Sequence, residues 1–261
     1  MLYCTYYIFK EDFILRIESD LHIHTLASGH GYSTIKENVE VAKEKGLKTI
    51  AITDHGINMP GAPHIYHFTN MISLPGIING VELLRGVEAN ILDNQGNLDM
   101  PNEVMSDYLD IVLAGLHNGT GYEGKSILEN TKAMVAAIKN PHVHVITHPD
   151  NPAYPIDIET VVLAAKKYNK ALELNNSSPI VRPGSSDICT KIARMCKKHK
   201  VLVSLNSDAH ICYNVGEISR VEAIAEKVGI GKDQIINHSS NSLKKFLSFH
   251  KDNNEVAQSN A

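Results

Sequence analysis

Residues 19–25 read SDLHIHT. The stretch ends a short apolar run and sets His22 and His24 two positions apart. In an extended chain, side chains at i and i+2 point to the same face. One such pair is usually incidental. It becomes informative when the same chemistry returns at the ends of later strands.

Working outward, short apolar, β-branched runs recur at 17–22, 48–53, 83–88, 110–116, 143–147, 171–175 and 201–206. Apolar residues at three-four spacing predict helices over 34–46, 126–139, 158–168, 187–199 and 217–228, with a last helix over 242–249. Thr34 and Glu37 read as a capping box and Gly46 as a C-terminal glycine. Seven strands, each followed by a helix or long loop, predict parallel βα units. No linker, repeat or low-complexity block divides the chain. Residues 19–250 are therefore expected as one domain, with 1–18 as an N-terminal extension and 251–261 as a disordered polar tail.

The fold class is α/β, either an open doubly wound sheet or a distorted (β/α)7 TIM-like barrel. The strand ends arbitrate. After the first come His22, His24 and His30; after the second, His55. The third ends on Glu88, the fourth runs into His117, the fifth into His148, and the seventh into Asp208 and His210. A parallel barrel gathers all these ends at one mouth, where barrel active sites are built. An open sheet would strew them along an edge, so a single-domain barrel is expected. These candidate ligands are too many for one ion, because a catalytic zinc takes about three protein ligands plus water. They suit a cluster of two or three ions with a bridging carboxylate. The imidazole and carboxylate donors point to zinc, manganese or iron.

Composition narrows the class further. A net charge of -4 over 261 residues gives no bulk basic surface of the kind nucleic-acid binders carry. Cys4, Cys189, Cys196 and Cys212 form no C-x-x-C pair; Cys189 and Cys196 are expected on a buried helix face, in keeping with a reducing cytoplasm. The N-terminal run MLYCTYYIFKEDFILRI is interrupted by Lys10, Glu11 and Asp12 and makes a poor signal peptide. No run approaches the roughly 18 apolar residues of a membrane span. A cytoplasmic location is expected.

In order, DLHIHTLASGHGYST, AITDHG, GVEAN, AGLHN, ITHPDNP, LELNNSS and NSDAH resemble the successive motifs of the PHP (polymerase and histidinol phosphatase) superfamily, nearest its YcdX-like phosphatase branch. The resemblance runs from about residue 19 to about residue 249 and implies a distorted (β/α)7 barrel with three divalent ions per chain, zinc first among the candidates. It implies His22, His24, Glu88 and Asp208 around one ion. Glu88 would bridge to a second ion completed by His117 and His148, and His30, His55 and His210 would hold the third. Ala209 stands where a serine is often seen.

Three divalent ions against two carboxylates leave a cationic site, which favours an anionic substrate and a transition state that gathers charge on oxygen. The expected reaction is hydrolysis of a small phosphate monoester by a metal-activated hydroxide, with Glu88, Asp208 and His210 catalytic. Arg182, Asn175 and Ser185 are expected to contact the substrate, and Asp20 and Asp54 to orient ligating histidines. The loop 57–70, with His64 and His67, reads as a lid and not as a source of ligands. His142 and His144 read as structural, and His199, His238 and His250 as surface or helix-end residues. No membrane partner and no nucleic acid are expected, and a homo-oligomer stays open. The alternatives are a phosphodiesterase or 3′-exonuclease, a histidinol-phosphate phosphatase, and a non-catalytic metal-binding regulatory module.

Overall fold

The computed structural model describes residues 16–259; most of the N-terminal extension, Cys4 included, and the last two residues of the expected tail lie outside the described residues. The chain begins with β1 (Ser19–Ile23), α1 (Ile35–Glu44), β2 (Thr49–Ile52), α2 (Tyr66–Asn70), β3 (Ile77–Ile78) and β4 (Val81–Asn90). It continues through α3 (Asn102–Asp107), β5 (Ile111–Gly115), α4 (Ile127–Lys139), β6 (Val145–Ile146), α5 (Ile158–Lys167) and β7 (Ala171–Asn175). It closes with α6 (Ser178–Val181), α7 (Ser185–His199), β8 (Val203–Asn206), α8 (Ser219–Val228) and α9 (Ser240–Ser259). The seven expected strands are all present and parallel, in the order β1-β2-β4-β5-β6-β7-β8. Thr34 and Ser126 start their helices with complete capping boxes, each stabilising its helix by about 1 kcal/mol.

Four short elements were not expected: α2, α3, α6 and β3, the last an antiparallel partner of β4. Each is shorter than the periodic window that sequence patterns need. The last helix is also longer than the expected 242–249 and takes in most of the stretch read as a tail.

The sheet curls into a nearly closed (β/α)7 barrel whose seam between β1 and β8 carries an isolated bridge, Ile23 to Ala209, in place of a ladder. Ala209 serves this seam with its backbone: its N–H donates to the His22 carbonyl at 3.3 Å and its carbonyl accepts from His24 N at 2.9 Å. Its side chain is fully buried, so the position has no need of a hydroxyl. Polar side chains complete the seam. Leu21 N donates to Asn206 Oδ1 at 3.2 Å, and Asn237 Nδ2 donates to the carbonyls of Ser19 and Leu205 at 2.8 and 2.7 Å. Asp20 accepts from Ser207 N and Oγ and from Gly216 N at 2.8 Å. Asp20 thus braces the seam and does not orient a histidine ring as expected.

Two apolar clusters flank the strands. The larger lies between barrel and helices and includes Cys189 and Cys196, buried as expected. The smaller fills the lower barrel with Leu21, Ala51, Ile111, Leu113, Val145 and Ala171, capped by Ile236, Leu243 and Phe246. Between Asp20 and Ile23, β1 uses one residue more than β2, a bulge that lets Leu21 join this inner cluster while His22 turns to the mouth.

α9 therefore plugs the lower end, and His250 on it is buried, not at the surface as expected. Its Nε2 donates to the Asn169 carbonyl at 3.1 Å, and its Nδ1 lies 3.4 Å from Lys170 Nζ, which donates to the Pro141 and Val143 carbonyls. His144 packs against it, ring centroids 5.1 Å apart. Burial first, and then Lys170, push the His250 pKa down to about 4; burial, with His250 and Lys170, pushes that of His144 well below its usual range. Unfolded imidazoles take up a proton below pH 6.5 or so, while folded His250 does not until about pH 4 and folded His144 resists it as well, so stability falls as pH drops through that window. Replacing His250 by Gln should shrink the fall in melting temperature between pH 7.5 and pH 5 by roughly 3 °C or more, measured by differential scanning fluorimetry.

Candidate metal centre

The barrel brings the strand-end residues together. Glu88 on β4 is 1% exposed. Its Oε2 lies 3.3 Å from His22 Nε2 and 3.5 Å from His24 Nε2. Those nitrogens are 3.0 Å apart and lie 3.5 and 3.3 Å from Asp208 Oδ1. The other oxygen, Oε1, lies 2.8 Å from His148 Nε2 and 3.1 Å from His117 Nε2, and these two nitrogens are 3.1 Å apart. One carboxylate thus faces two separate pairs of imidazole nitrogens, which is the arrangement expected of a bridge.

The remaining ring nitrogens show which way the lone pairs point. His22 Nδ1 donates to Glu173 Oε1 at 2.7 Å, which turns its Nε2 lone pair inward. Ser28 Oγ donates to Asp54 Oδ1 at 2.6 Å, so it accepts from His24 Nδ1 at 2.9 Å, and the His24 lone pair also faces in. Two lone pairs and two carboxylate oxygens then meet in a buried space, where they repel one another unless positive charge joins them. Among the described residues, Glu88 Oε2 and His55 Nδ1, 2.9 Å apart, are buried without a hydrogen-bond partner. The pKa of His22 reflects the same demand: burial would lower it, but Glu173, Glu88 and Asp208 raise it well above the imidazole range. A divalent cation satisfies this donor set, so the residues fit a metal ion.

A third group shares His55 and His210 with the expected one. Ligand-capable atoms of His24, His55 and His210 converge within 4.8 Å of one another, as do those of His22, His24 and Asp208, and of His55, Glu88 and His117. His30 stands at the rim, exposed, with ring centroids 5.0 Å from His55 and 4.8 Å from His210. His24, deeper in, lies beside His55 and His210 with its Nε2 turned to Glu88 and Asp208.

Backbone strain marks two of these positions. His148, which precedes Pro149, has φ +28°, and Asp208 has φ +55°. Conformations of this kind cost about 1–3 kcal/mol each and persist where surroundings impose them. Gly115 makes room for the His117–His148 pair, because a Cβ there would lie 2.2 Å from Thr147 Oγ1 and 3.0 and 3.2 Å from the two imidazole Cε1 atoms.

Other expected site residues take different places. Asn175 is saturated: its Nδ2 donates to Glu173 Oε2 and Asp208 Oδ2 at 3.0 and 3.1 Å, and its Oδ1 accepts from Ser177 N and Ser178 N. It positions Asp208 and has no hydrogen bond left for a substrate. Ser185 is fully buried at the start of α7, its hydroxyl bonded to nothing among the described residues and its N–H donating to the Arg182 carbonyl at 3.0 Å. Arg182 does reach the cluster, with NH2 at 3.5 Å from Asp208 Oδ2 and a side chain 16% exposed. Asp54 acts on His24 through Ser28, as expected of an orienting residue. Burial would raise the Asp54 pKa, but hydrogen bonds from His67 and Ser28 bring it down to about 2. The residue sequence reasoning missed is Glu173. It binds His22 Nδ1, receives His148 N at 2.8 Å and Asn206 Nδ2 at 2.9 Å, and is fully buried on β7. A charge inside the apolar strand ALELN, on the same face as Asn175, was the available signal.

Fold and cluster together define an imidazole-rich α/β barrel able to hold metal ions. The PHP domain family profile matches residues 20–179, more than half of the chain. The chain belongs to the PHP domain family. A "probable phosphatase" of Caldanaerobacter subterraneus subsp. tengcongensis is 48% identical over 234 residues, which cover 89% of this chain and 92% of that one. One from Acetivibrio thermocellus is 45% identical over 228 residues, covering 87% and 94%. Among solved structures, the histidinol phosphate phosphatase of Lactococcus lactis subsp. lactis, complexed with zinc, L-histidinol and phosphate, superposes with TM-score 0.62 at 18% identity. The match covers 82% of this chain and 94% of that one. A chain of an archaeal ribonuclease P with mature tRNA gives TM-score 0.55 at 12% identity, covering 89% and 90%. At these identities the two structures share the fold.

Replacing Glu173 by Gln keeps the side-chain size and removes the charge that orients His22. Metal affinity should fall about 10–100-fold, measured by competition with a chromogenic chelator.

Proposed function

We propose that the protein is a metal-dependent phosphatase acting on small phosphate monoesters, with three divalent ions at the barrel mouth and zinc the first candidate. The observation that carries the reading is the convergence of inward lone pairs of His22 and His24 on Glu88 and Asp208 at 3.0–3.5 Å, with the second Glu88 oxygen turned to His117 and His148. The relatives named probable phosphatases, which match nearly the whole barrel, support the same substrate chemistry.

His22, His24, Glu88 and Asp208 would hold one ion, and Glu88, His117 and His148 a second. His30, His55 and His210 would hold a third. When bound, the ions supply Lewis acidity and lower the pKa of water. The chain supplies the rest. Glu173 and the Ser28–Asp54 pair hold the His22 and His24 tautomers, so both rings present lone pairs without rearranging. Asn175 and Arg182 hold one Asp208 oxygen, leaving Oδ1 toward the histidines. Arg182, partly exposed, carries a planar guanidinium suited to phosphoryl oxygens. His210, 29% exposed at the same mouth, would be within reach of a bound substrate.

The first test is metal content by elemental analysis, followed by turnover of p-nitrophenyl phosphate against bis(p-nitrophenyl) phosphate. Near three equivalents and preferential monoester hydrolysis are expected. Preference for the diester would favour the phosphodiesterase reading, and metal without turnover of either the regulatory module. Glu88→Ala should lose metal and lower the monoester rate by roughly 100-fold or more.

A further inference from the structure

Asp54 is fully buried and receives hydrogen bonds from two parts of the chain. Thr25 N and Oγ1 donate at 2.7 and 2.8 Å and Ser28 Oγ at 2.6 Å, all from the segment after β1. The remaining donor comes from the loop 57–70: His67 Nε2 lies 3.1 Å from Asp54 Oδ2. Because Asp54 is a carboxylate, His67 Nε2 carries the proton. Ser28 Oγ, which gives its own proton to Asp54, accepts from His24 Nδ1 at 2.9 Å and from His55 N at 3.2 Å. A continuous path thus runs from the loop through Asp54 and Ser28 to the His24 ring and the backbone of His55.

The loop also rests on the segment that carries His30. Gly29, at φ +78°, has Gly61 so close that a Cβ would lie 2.5 Å from the Gly61 carbonyl oxygen. Asn58 N is tied to Asp99 Oδ2 at 2.8 Å, and Phe68, beside His67, is fully buried. The loop is therefore docked at both ends, and His67 is its link to the ligand network.

We propose that His67 is a positioning residue that latches the 57–70 loop to the metal centre, so that loop docking and metal binding strengthen each other. The inference rests on the metal-centre reading above. Without the His67 N–H, a buried carboxylate loses a donor and re-aims to recover it. Ser28 follows Asp54, and the His24 ring then turns its lone pair out of register. Coupling of this kind is reciprocal: whatever the latch adds to metal affinity, the metal adds to loop docking.

The test uses the full chain, titrated with Zn2+ against a chromogenic chelator, with hydrogen exchange of residues 57–70 followed in parallel. In the wild type, zinc should slow exchange in the loop. His67→Phe keeps a ring but no donor; it should weaken zinc about 10-fold and abolish the zinc-dependent slowing. His67→Gln can still donate to Asp54 and should restore most of the affinity. Wild-type affinity in His67→Phe, or equal losses in Phe and Gln variants, would overturn the latch. If His67→Phe does not fold, Ser28→Ala cuts the same path with the loop intact. Zinc-dependent slowing should then vanish, and its survival would overturn the proposal. A wild type that binds no zinc overturns the metal-centre reading, and the latch with it.

Discussion

One buried carboxylate, Glu88, sets the terms for the rest of the barrel mouth. Its two oxygens face two different groups of imidazole nitrogens, and its burial leaves the charge little screened by solvent. Groups that would repel one another in a low-dielectric interior are held within about 3.5 Å by the strands that carry them. The space for this arrangement comes from glycine. Gly86 lies two residues before Glu88 on the same face, where a Cβ would meet Thr53 Cγ2 at 2.7 Å, and Gly115 clears the ground beneath His117 and His148. Left-handed backbone at His148 and Asp208 aims two further side chains inward at a conformational cost.

A second set of polar residues makes the cluster directional. Every imidazole has two nitrogens, and a ring offers a lone pair in a chosen direction when its other nitrogen is committed elsewhere. Glu173 commits His22, and Ser28 commits His24. Asn175 fixes Asp208 and Glu173 together, which joins the supports of β7 and β8. These supports are as deeply buried as the residues they orient, and an unpartnered polar group at that depth costs about 1–3 kcal/mol. The network therefore holds its members in place whether one looks from the ligands outward or from the supports inward.

The barrel divides along its axis. The upper half is polar and converges on the metal centre, and the lower half is packed with aliphatic side chains and sealed by α9. Seven strands close less regularly than eight, and at the seam between β1 and β8 the side chains of Asp20, Asn206, Ser207 and Asn237 supplement a single backbone bridge. A second irregularity, the bulge where β1 pairs with β2, lets both Leu21 and His22 turn inward.

The sequence by itself determined the strand order, the parallel βα plan and most of the cluster. Those signals are local: a short apolar run ending in histidine or a carboxylate can be read without knowing its neighbours. His22, His24, His55, Glu88, His117, His148, Asp208 and His210 were all legible in this way. Tertiary structure decided what depends on atoms far apart in the chain. Glu173 orients His22 across 151 positions, and Asn175 is spent on Asp208 and not left for a substrate. Asp20 closes a seam with Ser207, and His250 is buried under the barrel beside Lys170. A polar side chain takes its role from the partner that folding brings to it, and sequence spacing carries no record of that partner.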